Sequence, residues 1–189
     1  MKKIPDYAKL VFKGVLHDVY HWDQEMFDGS IAVFEAIRKR DGVTIIATAA
    51  EGILLNDEEQ PNRDPFIAMP GGLVDDEDAS RLESAKRELK EETGFESNDW
   101  SEWFVSDILK SPKIDWNNHF FIAKNIQKTS EPDLDSGERI STRFITFEEL
   151  LELRHNPKFR NKDLIPILTE ASENEEKRRE LEKLLFTTN

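Results

Sequence analysis

Hydrophobic positions along this chain fall mostly into short runs with the period of strands, and one longer segment keeps the period of a helix. Residues 8–22, AKLVFKGVLHDVYHW, are rich in β-branched and aromatic side chains and predict a strand or hairpin. Asp28-Gly29 marks a turn, residues 30–38 (SIAVFEAIR) predict the partner strand, and Asp41-Gly42 closes it. The continuous apolar run 43–49, VTIIATA, predicts a buried strand, which 52–55, GILL, continue or pair with. A polar loop is expected over 56–65, NDEEQPNRDP, and a short strand over 66–69, FIAM. Further on, WSEWFVSDILK (100–110), HFFIAK (119–124) and ISTRFI predict strands, with Ser111-Pro112 breaking the first. Residues 125–139, NIQKTSEPDLDSGER, show neither period and predict a long polar loop, a kind of segment that is usually functional or disordered. Helices are expected over 147–154, 163–171 and 174–186. Strands and helices that cover a mixed sheet put the chain in the α+β class.

The helical segment follows a Gly71-Gly72 turn, where backbone can approach a ligand closely. Leu82, Ala85 and Leu89 recur at i, i+3 and i+7 and form one apolar stripe. Ser80-Arg81-Leu82-Glu83 fits a capping box, Asp78 is a second N-cap candidate, and Gly94 is a natural stop. Glu83 is placed to pair with Arg87 at i+4. At about 100° per residue, Glu88, Glu91 and Glu92 fall within one arc of roughly 100°, with no basic neighbour inside it. Three carboxylates so close repel, and they occupy the negative end of the helix dipole. A divalent cation reverses both penalties, and oxygen-only ligands at this spacing suit Mg²⁺ or Mn²⁺. A solvated acidic face is the competing reading. The unfavourable helix end and the Gly-Gly turn favour the metal.

Arg87-Glu88-Leu89-Lys90-Glu91-Glu92-Thr93-Gly94-Phe95 resembles the second half of the Nudix box, G-x(5)-E-x(7)-R-E-U-x-E-E-x-G-U with U apolar, at all nine positions. The resemblance implies an α/β/α sandwich and a diphosphate hydrolase acting on nucleoside diphosphates linked to another moiety. It implies that Glu88, Glu91 and Glu92 hold metal, with a backbone carbonyl of Gly71 or Gly72 adding a ligand. The first half of the box departs from the pattern: its loop carries one extra residue, so Glu77 or Asp78 takes the role of pairing with Arg87. An N-terminal hairpin before the core is similar to the ADP-ribose and nucleotide-sugar branch, where it serves dimerisation and base binding. Trp22, Phe27 and Phe34 are the candidate stacking aromatics, against the alternative of core or interface packing. Gln60-Pro61-Asn62-Arg63 resembles a stretch before the box in that branch, with Arg63 as a candidate phosphate clamp. The 125–139 loop is where the family commonly carries its general base. Glu138 is the first choice, Asp135 the second, and loop solubility the alternative.

Composition narrows the picture. With 189 residues, a single domain with a terminal appendage is expected: a hairpin extension over 1–42, a Nudix core over 43–155 and a C-terminal helical appendage over 156–189. There is no cysteine, which excludes disulfides and thiolate metal sites. No signal-like run or membrane-length apolar stretch is found, and a soluble cytoplasmic protein is expected. The formal net charge of −13 opposes nucleic acid and anionic lipid, and demands local neutralisation wherever a pyrophosphate binds. The four histidines show no ligand spacing.

The expected function is hydrolysis of a nucleoside diphosphate-X compound, ADP-ribose or a nucleotide sugar, by a homodimer. Water would be activated by Glu138 or Asp135, with Glu91 among the catalytic metal ligands. Two alternatives stand beside it. One is a hydrolase of nucleoside triphosphates or dinucleoside polyphosphates. The other is a Nudix-like ligand-sensing module without catalysis, which the retention of all three glutamates disfavours.

Overall fold

The computed structural model describes residues 3–107 and 110–187. The strands in chain order are β1 (Lys9–Lys13), β2 (His17–Glu25), β3 (Ile31–Lys39), β4 (Gly42–Ala49), β5 (Gly52–Glu59) and β6 (Phe66–Ala68). Helix α1 (Arg81–Thr93) follows, then β7 (Phe95–Glu96), β8 (Asp99–Ser106), β9 (Ile114–Asp115), β10 (Asn118–Lys124), β11 (Gln127–Lys128) and β12 (Arg139–Ile145). Helices α2 (Phe147–Glu152), α3 (Ile165–Glu173) and α4 (Glu175–Phe186) close the chain. No helix among the described residues is long and apolar enough to cross a membrane.

The main sheet runs β12-β5-β4-β10-β8, with β6 paired to β5. It is mixed because β4 and β10 run parallel while the other pairs are antiparallel. Strand alternation explains how it becomes the middle of a sandwich. On β4 and β10, Ile45, Ala47, Phe121 and Ala123 face Ala85 and Leu89 of α1, while Ile46, Phe120 and Ile122 face the opposite core. Each strand is therefore buried on both faces, which is why β4 reads as an unbroken apolar run. The α/β/α sandwich that the resemblance implies and the α+β class read from the elements are both present.

β1, β2 and β3 form an antiparallel meander joined by β9. The stretch read as a strand or hairpin over 8–22 is thus a hairpin, closed where Gly14 N–H donates to His17 O at 3.1 Å. The strand expected over 100–110 is β8, and residues 108–109 lie outside those described.

Three expectations change. The polar loop over 56–65 starts later, because β5 continues through Glu59, paired to β12 and β6. Its alternate residues Asn56 and Glu58 are buried, 0% and 4% exposed: Glu58 lines a cavity, and Asn56 lies behind it, donating to Glu92. The 125–139 loop contains β11, which pairs with β7. The segment from 156 onward is not an appendage: Phe159, Leu164, Leu168, Ala171, Leu181 and Leu185 share one core with Ile53, Leu55 and Ile122 of the sheet.

Candidate active site

Helix α1 sets the geometry of the site. Ser80 Oγ accepts from Glu83 N–H at 3.2 Å, and Gly94 ends the helix at φ 70°, with its N–H on Lys90 O at 2.7 Å. Burying Ala85 and Leu89 against the sheet turns Glu88, Glu91 and Glu92 toward a cavity of about 640 Å³, walled by α1, the Gly71-Gly72 turn, β5 and the 156–163 segment.

Glu92 lies deepest, at 5% exposure. Its Oε2 accepts from Gly71 N–H at 2.9 Å and from Asn56 Nδ2 at 3.0 Å. Burial, with Glu58 nearby, pushes its carboxyl well above the usual range. Glu88 packs so tightly on Gly72 that a Cβ there would collide with its carboxylate. Burial pushes Glu88 up to about 7, against the pull of Arg87. Glu91 stands nearer the opening, its side chain 45% exposed.

Arg87 is the hub of the box. It donates through Nε to Asp78 Oδ1 at 3.2 Å and through Nη2 to Asp78 Oδ2 at 3.1 Å and Leu73 O at 3.0 Å. Its Nη1 donates to Glu91 Oε2 at 2.8 Å and lies 3.0 Å from Glu88 Oε1. The residue left open as Glu77 or Asp78 is Asp78, whose carboxyl the Arg87 hydrogen bonds hold down at about 2. Two sequence expectations are corrected here. Glu83 pairs with Lys86 at 2.8 Å rather than with Arg87. The glutamates do have a basic neighbour, because the long Arg87 side chain reaches back across their arc.

The 125–139 loop is sewn to the end of α1. Thr129 and Ser130 N–H groups donate to Gly94 O at 2.9 and 3.2 Å, and Asp133 N–H donates to Glu91 O at 2.8 Å. These bonds satisfy carbonyls that a helix end leaves open. They also carry Asp135 and Glu138 into the cavity. Gln60 Nε2 lies 3.5 Å from Glu138 Oε1, and burial beside Asp135 raises the Glu138 carboxyl.

Gly71, Gly72, Arg87, Glu88, Glu91, Glu92, Asp135 and Glu138 therefore meet in one cavity. Arg63 does not line it; it lies in an adjoining groove, its guanidinium 4.8 Å from the Phe66 ring centre. Trp22 packs edge-on to Phe34 at 5.9 Å in the N-terminal sheet, and Phe27 is fully exposed after β2. Cavity residues that the sequence did not single out include Glu58, Trp116, Arg160 and Asn161, with Asn56 behind Glu92. Alternation along β5 is a signal for Glu58 and for Asn56. Nothing local marks the other three.

The donor set suits a hard cation. It is all oxygen, and Asn56 Oδ1 is buried beside Glu92 with no donor among the described residues. The carbonyls of Pro70 and Gly72 accept from Ile45 and Val43, which leaves Gly71 O without a donor among the described residues. Among the described residues no three acidic or histidine side chains already close on one point. Arg87 Nη1 holds Glu88 and Glu91 instead, so binding a cation requires these two carboxylates to turn.

Residues 38–166 match the NUDIX domain family. The chain is 26% identical over 147 residues to the ADP-ribose pyrophosphatase of Bacillus subtilis (strain 168), covering 76% of this chain and 78% of that one. Its fold is similar to the crystal structure of an ADP compounds hydrolase, with a TM-score of 0.68, 22% identity, and coverage of 89% of this chain and 91% of the other. The matched span takes in well over half the chain and includes α1, the Gly-Gly turn and the 125–139 loop, so this chain belongs to the NUDIX domain family, as a pyrophosphohydrolase.

Proposed function

We propose that this chain hydrolyses the diphosphate of ADP-ribose or of a nucleotide sugar, giving a nucleoside monophosphate and a sugar phosphate. The observation that carries the proposal is the convergence of Glu88, Glu91, Glu92, Gly71 and Glu138 on one cavity. Kinship to an ADP-ribose pyrophosphatase favours ADP-ribose.

Glu88, Glu91, Glu92 and the Gly71 carbonyl would hold Mg²⁺ or Mn²⁺. When bound, such a cation supplies neutralisation of the diphosphate oxygens and of charge developing on them. The chain's own residues do the rest. Asn56 and the Gly71 N–H fix the Glu92 carboxylate, and Asp78 fixes Arg87 against the box loop. Glu138 takes a proton from the attacking water, with Asp135 as its alternate. Its raised carboxyl pKa makes it a better base than an ordinary surface glutamate.

The proposal includes a homodimer formed through the β1–β3 sheet. Phe12, Ile31 and Val33 lie on one face of that sheet at 61, 63 and 67% exposure. Trp22 and Phe27, outside this chain's own cavity, would then meet the nucleotide of the partner subunit.

The test is a substrate panel of ADP-ribose, several nucleotide sugars and nucleoside triphosphates, each assayed with Mg²⁺ and with Mn²⁺. Release of nucleoside monophosphate and sugar phosphate is expected, and Glu92→Gln should abolish it. Cleavage confined to triphosphates, or turnover undiminished in Glu92→Gln, would refute the proposal.

A further inference from the structure

The chain has eleven arginines against thirty-nine acidic residues, and nine of those arginines are ion-paired. The two that are not, among the described residues, are Arg63 and Arg160, and they share one aromatic ring. Their guanidinium carbons lie 4.8 and 5.0 Å from the centre of Phe66, itself buried at 8% exposure. Among the described residues Lys39 likewise has no ion pair and stands 5.2 Å from the Trp116 ring, and Trp116 Nε1 is a buried donor with no acceptor. Glu58, Glu92 and Glu138 act on Arg160 across the cavity, yet none is within ion-pair distance of it, and it stands beside a second guanidinium instead. Burial and the neighbouring guanidinium groups depress the pKa of both Lys39 and Arg160.

These groups are held in place before any ligand arrives. Arg160 N–H donates to Ile67 O at 2.9 Å, Ile67 N–H donates to Lys158 O at 3.0 Å, and Phe159 between them is fully buried. Asn161 Oδ1 accepts from Met69 N–H at 2.8 Å. The 158–161 segment is thus tied to the strand that leads into the Gly-Gly turn. Arg160 lines the cavity, while Arg63 lies outside it in a groove of about 730 Å³ that Arg160 shares with Lys158 and Lys162, where Asp64 is the one acid among the described lining residues. The pair therefore spans the passage from the cavity to the groove, beyond the box glutamates.

We propose that Arg160 and Arg63, with Lys39, form a second anion subsite that takes a phosphate monoester carried by the substrate in addition to its scissile diphosphate. This rests on the hydrolase reading above and sharpens it: the preferred substrates are nucleoside diphosphate compounds with a third phosphate on the nucleoside ribose. Stacked guanidinium forks suit a phosphate bidentately and lose little freedom on binding it.

The experiment compares ADP-ribose with ADP-ribose bearing a 2′- or 3′-phosphate on its adenosine ribose. Affinities come from calorimetric titration of the full chain in chelator, and kcat/KM from assays with Mg²⁺. One of the phosphorylated compounds is expected to bind and react about tenfold better or more, the scale of charge-assisted bidentate hydrogen bonds. Arg160→Gln and Arg63→Gln should each bring that ratio close to one, and Arg160→Lys should restore part of it. Thermal melts establish that each variant is folded, and exposed Arg63 provides the reading should Arg160→Gln fail to fold. A wild-type ratio of one for both phosphorylated compounds, or a ratio that survives Arg63→Gln, overturns the subsite. A tenfold binding advantage with no turnover of any compound supports the subsite and refutes the hydrolase reading instead.

Discussion

Glu92 concentrates the chemistry of this site in one side chain. Its carboxylate is buried, yet both donors it meets, the Gly71 N–H and the Asn56 amide, are neutral. Glu92→Gln keeps the shape and an oxygen to accept those hydrogen bonds, so the fold should persist while kcat falls at least about a hundredfold. Circular dichroism and a steady-state assay on the same preparation check both halves. Glu58 and Glu88, each pushed up to about 7 by burial, set a pH dependence of stability. Their folded pKa lies above the unfolded value of 4.5, so the folded chain keeps protons that the unfolded chain has already released. In chelator, stability is therefore highest near pH 4.5–5, falls as pH rises toward 7, and levels off above it. Melting temperatures taken from pH 5 to 8 should fall in that window. A cation supplied at pH 8 at a hundred times its Kd should return about 2.7 kcal/mol, a rise of roughly 5–10 °C. A melting temperature that climbs from pH 5 to 7 in chelator would show that these carboxyls are not held protonated by the fold.

At the scale of elements, α1 and the loops attached to it act as one unit through Arg87. Arg87→Met removes the partner of Asp78, whose side chain is only 10% exposed, and frees the loop that carries Leu73. Arg87 is itself 27% exposed, so the cost falls between surface and buried pairs, at about 1–3 kcal/mol, and chemical denaturation measures it. Asp78→Asn in the Arg87→Met background should recover part of that loss, because a neutral amide needs no cation. A full loss in the double variant would mean that the hydrogen bond to Leu73 O matters more than the ion pair. The helix itself was legible because every local signal agreed: apolar period, Ser80 cap, Gly94 stop and the nine-residue box. The extra residue in the preceding loop left Glu77 and Asp78 equivalent on paper, and only the fold of that loop separates them. β5 was cut short because its polar end reads as loop. Glu58 is polar because it walls a cavity and Asn56 because it donates to Glu92 behind it, and their alternation is the remaining strand signal. Arg160, Asn161 and Trp116 were invisible, since tertiary pairing of 158–161 with Ile67 and Met69, and the wall of a folded cavity, give them their places.

The whole molecule combines a closed core with an open flank. The core needs the C-terminus: Leu181 and Leu185 are 5% and 1% exposed, and each buried leucine contributes about 1.5–3 kcal/mol. A chain ending at Asn174 should therefore lose at least about 3 kcal/mol, and the loss of a cooperative melt would register it. The flank is the β1–β3 sheet, where Phe12, Ile31 and Val33 remain more than half exposed on one face while the main sheet is covered on both. A patch of that kind on a chain of net charge −13 is not left open for solubility; it fits a surface that another copy covers. Self-association through it brings two acidic chains together, so the apolar area must outweigh their repulsion, and added salt should strengthen the contact by screening. Light scattering should then give twice the 22.0 kDa of one chain, more firmly so as salt rises. Val33→Glu with Phe12→Glu adds charge to the patch without touching the core and should return one chain's mass with an unchanged melt in dilute solution. If the double variant keeps the wild-type mass, the subunits meet elsewhere, and Trp22 and Phe27 have no partner cavity to reach from this sheet.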